Sequence, residues 1–163
     1  MPKRILVVDD EQIALGAFER ALQLRGYNVS TALSSAAALR LCEESSFDLV
    51  ILDFIMPRMN GVELLVRIRK LQPLVRSIVI SGKLESEVDE RQVGKELGEG
   101  VEADWYLHKP VSAAKLQEVV ASLLNLGAPE DWKSIAKQAV RGQQAKISAA
   151  RTVAKNLRAY KKK

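Results

Sequence analysis

Cysteine is almost missing from this chain. Cys42 is the single one in 163 residues, so no disulfide forms within it. It lies in an apolar helical pattern with Leu39 and Leu41, which predicts a buried, inert thiol. No apolar run approaches the roughly 18 residues of a membrane span. The opening Met1-Pro2-Lys3-Arg4, followed by a short apolar strand, is no signal peptide. These absences predict a cytoplasmic protein without a membrane partner. What is present, 47% hydrophobic and 28% charged residues, is the composition of a globular domain, and the length suits one domain with a modest appendage.

Positive charge is unevenly spread. Residues 1–128 hold 15 Lys and Arg against 18 Asp and Glu, a net −3, whereas residues 129–163 hold 10 against 2, a net +8. A slightly acidic domain, residues 1–126, therefore precedes a basic extension, residues 127–163.

Within the domain, strand and helix alternate. Arg4 to Val8 is a short strand ending at Asp9-Asp10-Glu11. Glu11 to Arg25 is helical, with Ile13, Ala14, Ala17, Phe18, Ala21 and Leu22 on one stripe and Gly26 as stop. Tyr27–Ala32 is a second strand, and Ser34 or Ser35 caps a helix to about Glu44. Leu49-Val50-Ile51-Leu52 is an aliphatic run of the kind found in a parallel sheet covered on both faces, and it ends in Asp53. Met56-Pro57 and Asn60-Gly61 then turn the chain into a helix, Gly61–Leu71. Ser77–Ile80 is a fourth strand ending at Ser81-Gly82. A fourth helix follows from about Ser86, where Ser86 and Asp89 suit a capping box, to about Leu97. Trp105-Tyr106-Leu107 is the fifth strand, ending at His108-Lys109-Pro110, and Ser112 caps a fifth helix to about Leu124.

Five β-then-α repeats force parallel strands with right-handed crossovers and helices on both faces. All carboxyl ends then share one edge, where open α/β sheets bind ligands. Taken alone, Asp53 reads equally well as the first residue of a turn. Four of the five strands, however, end in chemically active side chains: Asp9 and Asp10, Asp53, Ser81, and Lys109. Three clustered carboxylates repel one another unless a cation joins them. With oxygen ligands and no His or Cys among them, Mg2+ is the cation this set predicts. A lysine and a serine across the site complete a pocket for a phosphoryl group, and Asp53 is placed to attack phosphorus and form an acyl phosphate.

These residues resemble the receiver domain of bacterial two-component response regulators. The resemblance rests on Ile5-Leu6-Val7-Val8-Asp9-Asp10-Glu11, Asp53-x-x-Met56-Pro57-x-Met59-x-Gly61, Ser81-Gly82 and Tyr106-Leu107-x-Lys109-Pro110, and covers residues 3 to about 125. It implies a doubly wound, flavodoxin-like α/β fold with a five-stranded sheet in order 2-1-3-4-5, an order belonging to the family and not read from the spacing. It further implies that Asp53 accepts a phosphoryl group from a histidine kinase or a histidine phosphotransfer protein. Asp10, Asp53 and the backbone carbonyl of Ile55 would hold Mg2+, with Asp9 acting through a bound water. Lys109 would pair with the phosphoryl group and Asp53, and Ser81 would bond a phosphoryl oxygen. Tyr106 would then swing inward and alter the surface of the fourth helix, fifth strand and fifth helix, for a partner or for self-association. Read from its position alone, Tyr106 is equally a packing aromatic, and His108 an exposed strand-end residue. The protein would be a phosphorylation-controlled switch and not an enzyme.

Two departures stand out. The interval from Ser81 to Lys109, with Gly94, Gly98, Gly100 and the acids Glu96, Glu99 and Glu102, is several residues longer than the family usually shows. Ile55, two beyond Asp53, stands where a polar side chain could orient an attacking water, which predicts a long-lived acyl phosphate.

In the extension, Pro129-Glu130-Asp131 suits a helix start. Trp132, Ala136, Ala139, Ile147, Ala150, Ala154 and Leu157 recur at helical spacings among Lys and Arg, with an interruption at Gly142. This narrow stripe would pack on the receiver, on a second copy as a helical dimer, or on a partner; the last residues, Arg158 to Lys163, would be disordered. Roughly 35 residues with one pattern hardly supply a helix-turn-helix. A nucleic-acid-binding regulator using this basic segment remains the alternative function. A phosphatase with an Asp-x-Asp nucleophile does not fit Asp9-Asp10-Glu11, and a flavodoxin-like cofactor site would need a phosphate-cradling loop where this chain has acids.

Overall fold

Strand β3 (Leu49–Asp53) is buried along its whole length, and β1 (Arg4–Val8) is buried from Ile5 onward. Strands buried on both faces belong inside a sheet with helices on each side. The computed structural model describes residues 1–82 and 103–125 and has that arrangement. In chain order the elements are β1, α1 (Gln12–Gln23), β2 (Asn28–Ala32), α2 (Ser35–Glu44), β3, α3 (Gly61–Leu71), β4 (Arg76–Ser81), β5 (Trp105–His108) and α4 (Ala113–Asn125). The strands form one parallel sheet in the order β2-β1-β3-β4-β5. This is the doubly wound, flavodoxin-like topology expected.

Alternation along each strand sends its side chains into two cores. Leu6, Val8, Val50, Leu52 and Val79 meet Ala38 and Cys42 of α2 and Val62, Leu65 and Ile68 of α3. On the other face, Ile5, Val7, Leu49, Ile51, Ile78 and Ile80 meet Leu15 and Leu22 of α1 and Leu116, Val119, Val120 and Leu123 of α4. Each fully buried aliphatic contributes about 1.5–3 kcal/mol. Helices of 10 to 13 residues are marginal by themselves, so these faces hold them in place.

The helix ends follow local chemistry. Ser34 caps α2 by accepting from the Ala37 amide at 3.2 Å, and the Ser112 hydroxyl accepts from the Lys115 amide at 3.1 Å at the start of α4. Gly26, at φ +82, ends the α1 turn in the left-handed region that glycine tolerates. Asn60 does more than turn the chain. Its Oδ1 accepts from the amides of Val62 and Glu63 while Glu63 reaches back to the Asn60 amide at 3.0 Å, a capping box that starts α3.

The α1 stripe differs from expectation. Leu15, Ala21 and Leu22 are buried, with Phe18 packed beside them, but Ile13 is 89% exposed and Ala17 is exposed. The buried phase starts at Leu15, so Ile13, in the first turn, faces solvent. The helix expected from Ser86 to Leu97 and the helical extension from Pro129 onward lie outside the described residues. The chain divides into two units, Met1–Gly127 and Ala128–Lys163. Among the described residues no helix is long and apolar enough to cross a membrane.

Candidate phosphoryl-acceptor site

Parallel pairing brings four strand ends to one edge. Asp9 and Asp10 follow β1, Asp53 is the last residue of β3, Ser81 the last of β4, and Lys109 follows β5. One carboxylate oxygen from each of Asp9, Asp10 and Asp53 lies within 4.8 Å of the others. Asp9 and Asp53 are 2% and 6% exposed, whereas Asp10 is exposed. Lys109 reaches across them, its Nζ 3.3 Å from Asp9 Oδ2 and 3.4 Å from Asp53 Oδ2. The contact with Asp9 was not anticipated from the sequence.

The electrostatics follow from this crowding. Burial pushes the Asp53 carboxyl up, the charge on Asp9 adds to the rise, and Lys109 with the Ile55 amide opposes without cancelling it. For Lys109, burial acts to lower the pKa, but Asp53 and Asp9 outweigh it and hold the ammonium above its ordinary range. One lysine thus incompletely compensates two buried carboxylates and a third at the rim. An all-oxygen, all-anionic donor set of this kind fits a hard divalent cation.

The loop after Asp53 is tied to β4 at its start and closes on itself at its end. The Phe54 amide donates to the Ile80 carbonyl at 2.8 Å, and the Gly61 amide donates to the Phe54 carbonyl at 2.9 Å. Gly61 sits so close that a Cβ there would collide with the Asp53 carbonyl oxygen, and its carbon would be only 3.0 Å away. Arg58 holds φ +70, a left-handed conformation that costs a non-glycine residue about 1–2 kcal/mol. The Ile55 amide bonds the Asp53 carboxylate and its side chain is 50% exposed.

Ser81 is buried at the edge beside this loop, and its carbonyl accepts from the Lys109 amide at 2.9 Å. Tyr106 is half-buried against the α2–α3 core, and its hydroxyl accepts from the Ala103 amide at 3.4 Å. His108 is exposed, with Nδ1 2.6 Å from the Lys109 carbonyl oxygen. Asp9, Asp10, Asp53 and Lys109 therefore meet in one place, Ser81 shares their edge, and Tyr106 lies along β5 toward its start. Sequence reasoning missed the close approach at Gly61 and a buried group, Asp104 with Arg69 and Ser77, at the sheet's other edge. The Asn60-x-x-Glu63 capping pattern was a legible hint that Gly61 opens a helix hard against Asp53.

A flavodoxin-like sheet with acids and a lysine gathered at its carboxyl edge defines the class. Residues 5–121 match the response regulator receiver domain, and the chain belongs to that family. It is 41% identical over 121 residues to the transcriptional regulatory protein PrrA of Mycobacterium leprae, covering 74% of this chain and 49% of that protein. It is 32% identical over 124 residues to the alkaline phosphatase synthesis transcriptional regulatory protein PhoP of Bacillus subtilis, covering 76% of this chain and 49% of that one. The chain thus spans about half the length of the curated relatives it matches. Among solved structures, a CheY-like receiver domain protein from Methanospirillum hungatei superposes with TM-score 0.67 at 31% identity, over 77% of this chain and 95% of that one. A response regulator from Burkholderia pseudomallei carrying a phosphorylated aspartic acid and a calcium ion superposes with TM-score 0.63 at 28% identity, over 85% and 74%. Residues 5–121 are a two-component receiver domain, and phosphorylation-controlled signalling is the function this supports.

Proposed function

We propose that this protein is a cytoplasmic switch whose Asp53 accepts a phosphoryl group from a phosphohistidine on a histidine kinase or a histidine phosphotransfer protein. A carboxylate oxygen of Asp53 attacks phosphorus, the P–N bond breaks, and its electron pair returns to the imidazole nitrogen. Lys109, already against Asp53, pairs with a phosphoryl oxygen, and the Ser81 hydroxyl donates to another. Asp10, Asp53 and the Ile55 carbonyl would hold Mg2+, with Asp9 acting through a bound water, and the ion would offset the charge of carboxylates and phosphoryl oxygens. Tyr106 would carry the change to the surface around β5, controlling a protein partner or self-association through that face or through the basic extension. No reaction on a further substrate is proposed.

The observation that carries this reading is the convergence of Lys109 Nζ on Asp9 and Asp53 with Asp10 alongside. The test is incubation with acetyl phosphate and Mg2+, followed by intact mass and light scattering. Wild type gains one phosphoryl mass and Asp53→Asn gains none. Uptake unchanged in Asp53→Asn, or absent in wild type, defeats the proposal.

A second reading is favoured by the net +8 of residues 129–163 and by the names of the relatives, which are transcriptional regulators. Ten basic side chains would attract nucleic-acid phosphates with steep salt dependence. A mobility shift at physiological salt, with and without residues 129–163, decides it. No shift that depends on those residues removes this reading.

A further inference from the structure

β5 is the shortest strand of the sheet. It has four residues, lies at the edge of the sheet and pairs only with β4. Yet Lys109, whose ammonium must reach Asp9 and Asp53, follows its last residue. A slip of one residue would carry Lys109 about 3.3 Å along the edge and reverse the facing of every β5 side chain. The strand therefore needs a fixed beginning.

Asp104 stands at that beginning, 5% exposed. Its Oδ2 accepts from the Ser77 amide at 2.8 Å and from the Ser77 hydroxyl at 3.3 Å, and its Oδ1 accepts from Arg69 Nη2 at 3.1 Å. The same Nη2 donates to the Ser77 hydroxyl oxygen at 2.9 Å, and the Asp104 amide donates to the Ser77 carbonyl at 3.1 Å. The carboxylate thus takes the acceptor place that one more strand residue would have filled opposite Ser77. Three elements meet here: the last turn of α3, the start of β4 and the start of β5. Burial pushes the Asp104 carboxyl up despite Arg69 beside it, so burying the ion is costly. A buried ion pair adds little net stability over an apolar replacement, and fixing register is its best-attested use.

We propose that Asp104, held by Arg69 and Ser77, is a positioning residue that sets the register of β5 and thereby the reach of Lys109 to Asp53. This deepens the function proposed above and rests on it for the chemical consequence alone.

The test uses the full chain as wild type, Asp104→Ala, Asp104→Asn and, as a destabilised control remote from β5, Leu22→Ala. The first readout is hydrogen exchange at the Lys109 amide, which donates to Ser81 at the far end of the strand. In Asp104→Ala this amide exchanges roughly tenfold faster than the drop in global stability accounts for. In Leu22→Ala it tracks global stability, and in Asp104→Asn, which keeps an acceptor for Ser77, it stays near wild type. The second readout is phosphoryl uptake from acetyl phosphate. Asp104→Ala slows it by roughly tenfold, within the reach of a sub-ångström misplacement. It adds no further slowing to Lys109→Ala. Lys109 exchange no faster in Asp104→Ala than global stability predicts, or slowing that multiplies with that of Lys109→Ala, overturns the proposal. If wild type takes up no phosphoryl group, the proposed function fails and the exchange readout decides alone. Should Asp104→Ala not fold, Arg69→Met takes its place, with the same selective exchange at Lys109 expected.

Discussion

The ammonium of Lys109 lies 3.4 Å from Oδ2 of Asp53, so a residue that follows the edge strand carries the counter-charge for an acid at the end of a central one. The same ammonium also serves Asp9. Lys109→Met leaves two buried carboxylates facing each other. In metal-free buffer this variant loses about 2–3 kcal/mol of stability, less than the usual cost of breaking a fully buried pair because the lysine is 30% exposed. Added Mg2+ recovers more stability in the variant than in wild type, because the cation then has more uncompensated charge to offset. Urea unfolding with EDTA and with excess Mg2+ measures both. Equal Mg2+ increments in the two proteins contradict the account of the charge balance.

Gly61 is the residue that lets the loop after β3 close on Asp53. A methyl group there meets the Asp53 carbonyl oxygen, which is backbone and has no rotamer by which to retreat. Gly61→Ala therefore shifts the loop that carries Ile55 and loses about 1–3 kcal/mol by overpacking. The loss shows as a lowered urea midpoint and a weakened Mg2+ stabilisation in the same titration. An alanine variant with wild-type values for both sinks this reading of the glycine.

Strand ends and their acids are legible in the sequence because both are local. An aliphatic run followed by Asp53 announces a buried strand and its exit, and five repeats leave the acids only one edge to share. The strand order came from family resemblance and matches the sheet. Three things were not readable. The solvent-facing Ile13 depended on where α1 begins its buried phase, which the neighbouring Ala14 and Ala17 left ambiguous. The need for glycine at position 61 arises only when its helix docks against Asp53. Asp104 joins Arg69 and Ser77 across separations of 35 and 27 residues, and no spacing rule pairs them.

Cys42, buried in α2, has its thiol pushed up to about 11 by desolvation. It is neutral and shielded at pH 8, so Ellman's reagent reacts with the unfolded chain and leaves the native one intact. The pH dependence has a fixed sign. Because the folded value lies above the ordinary 9.0, the contribution is fully present below pH 9 and is lost as pH rises toward 11. The loss is on the order of 2 kcal/mol. Urea midpoints for wild type and Cys42→Ala at pH 8 and pH 10.5 check it: the midpoint of wild type falls more than that of the variant. Parallel declines would show that the thiol ionises as freely in the folded state as in the unfolded one.

Ile55 bears on how long a phosphoryl group would stay on Asp53. Its amide bonds the Asp53 carboxylate, and its side chain is half exposed. Loss of the group requires a water to reach phosphorus in line with the Asp53 oxygen, and a branched alkyl group offers that water neither donor nor acceptor. Asn at this position supplies both hydrogen-bonding functions at smaller volume, so Ile55→Asn shortens the lifetime of the acyl phosphate by roughly tenfold, a modest share of what positioned proton transfer can contribute. The measurement is decay of the phosphorylated mass after removal of acetyl phosphate, with Mg2+ held constant and urea midpoints confirming that both proteins remain folded. Equal lifetimes would discard water positioning as the limiting step and leave the charge on Lys109 as the group to vary next.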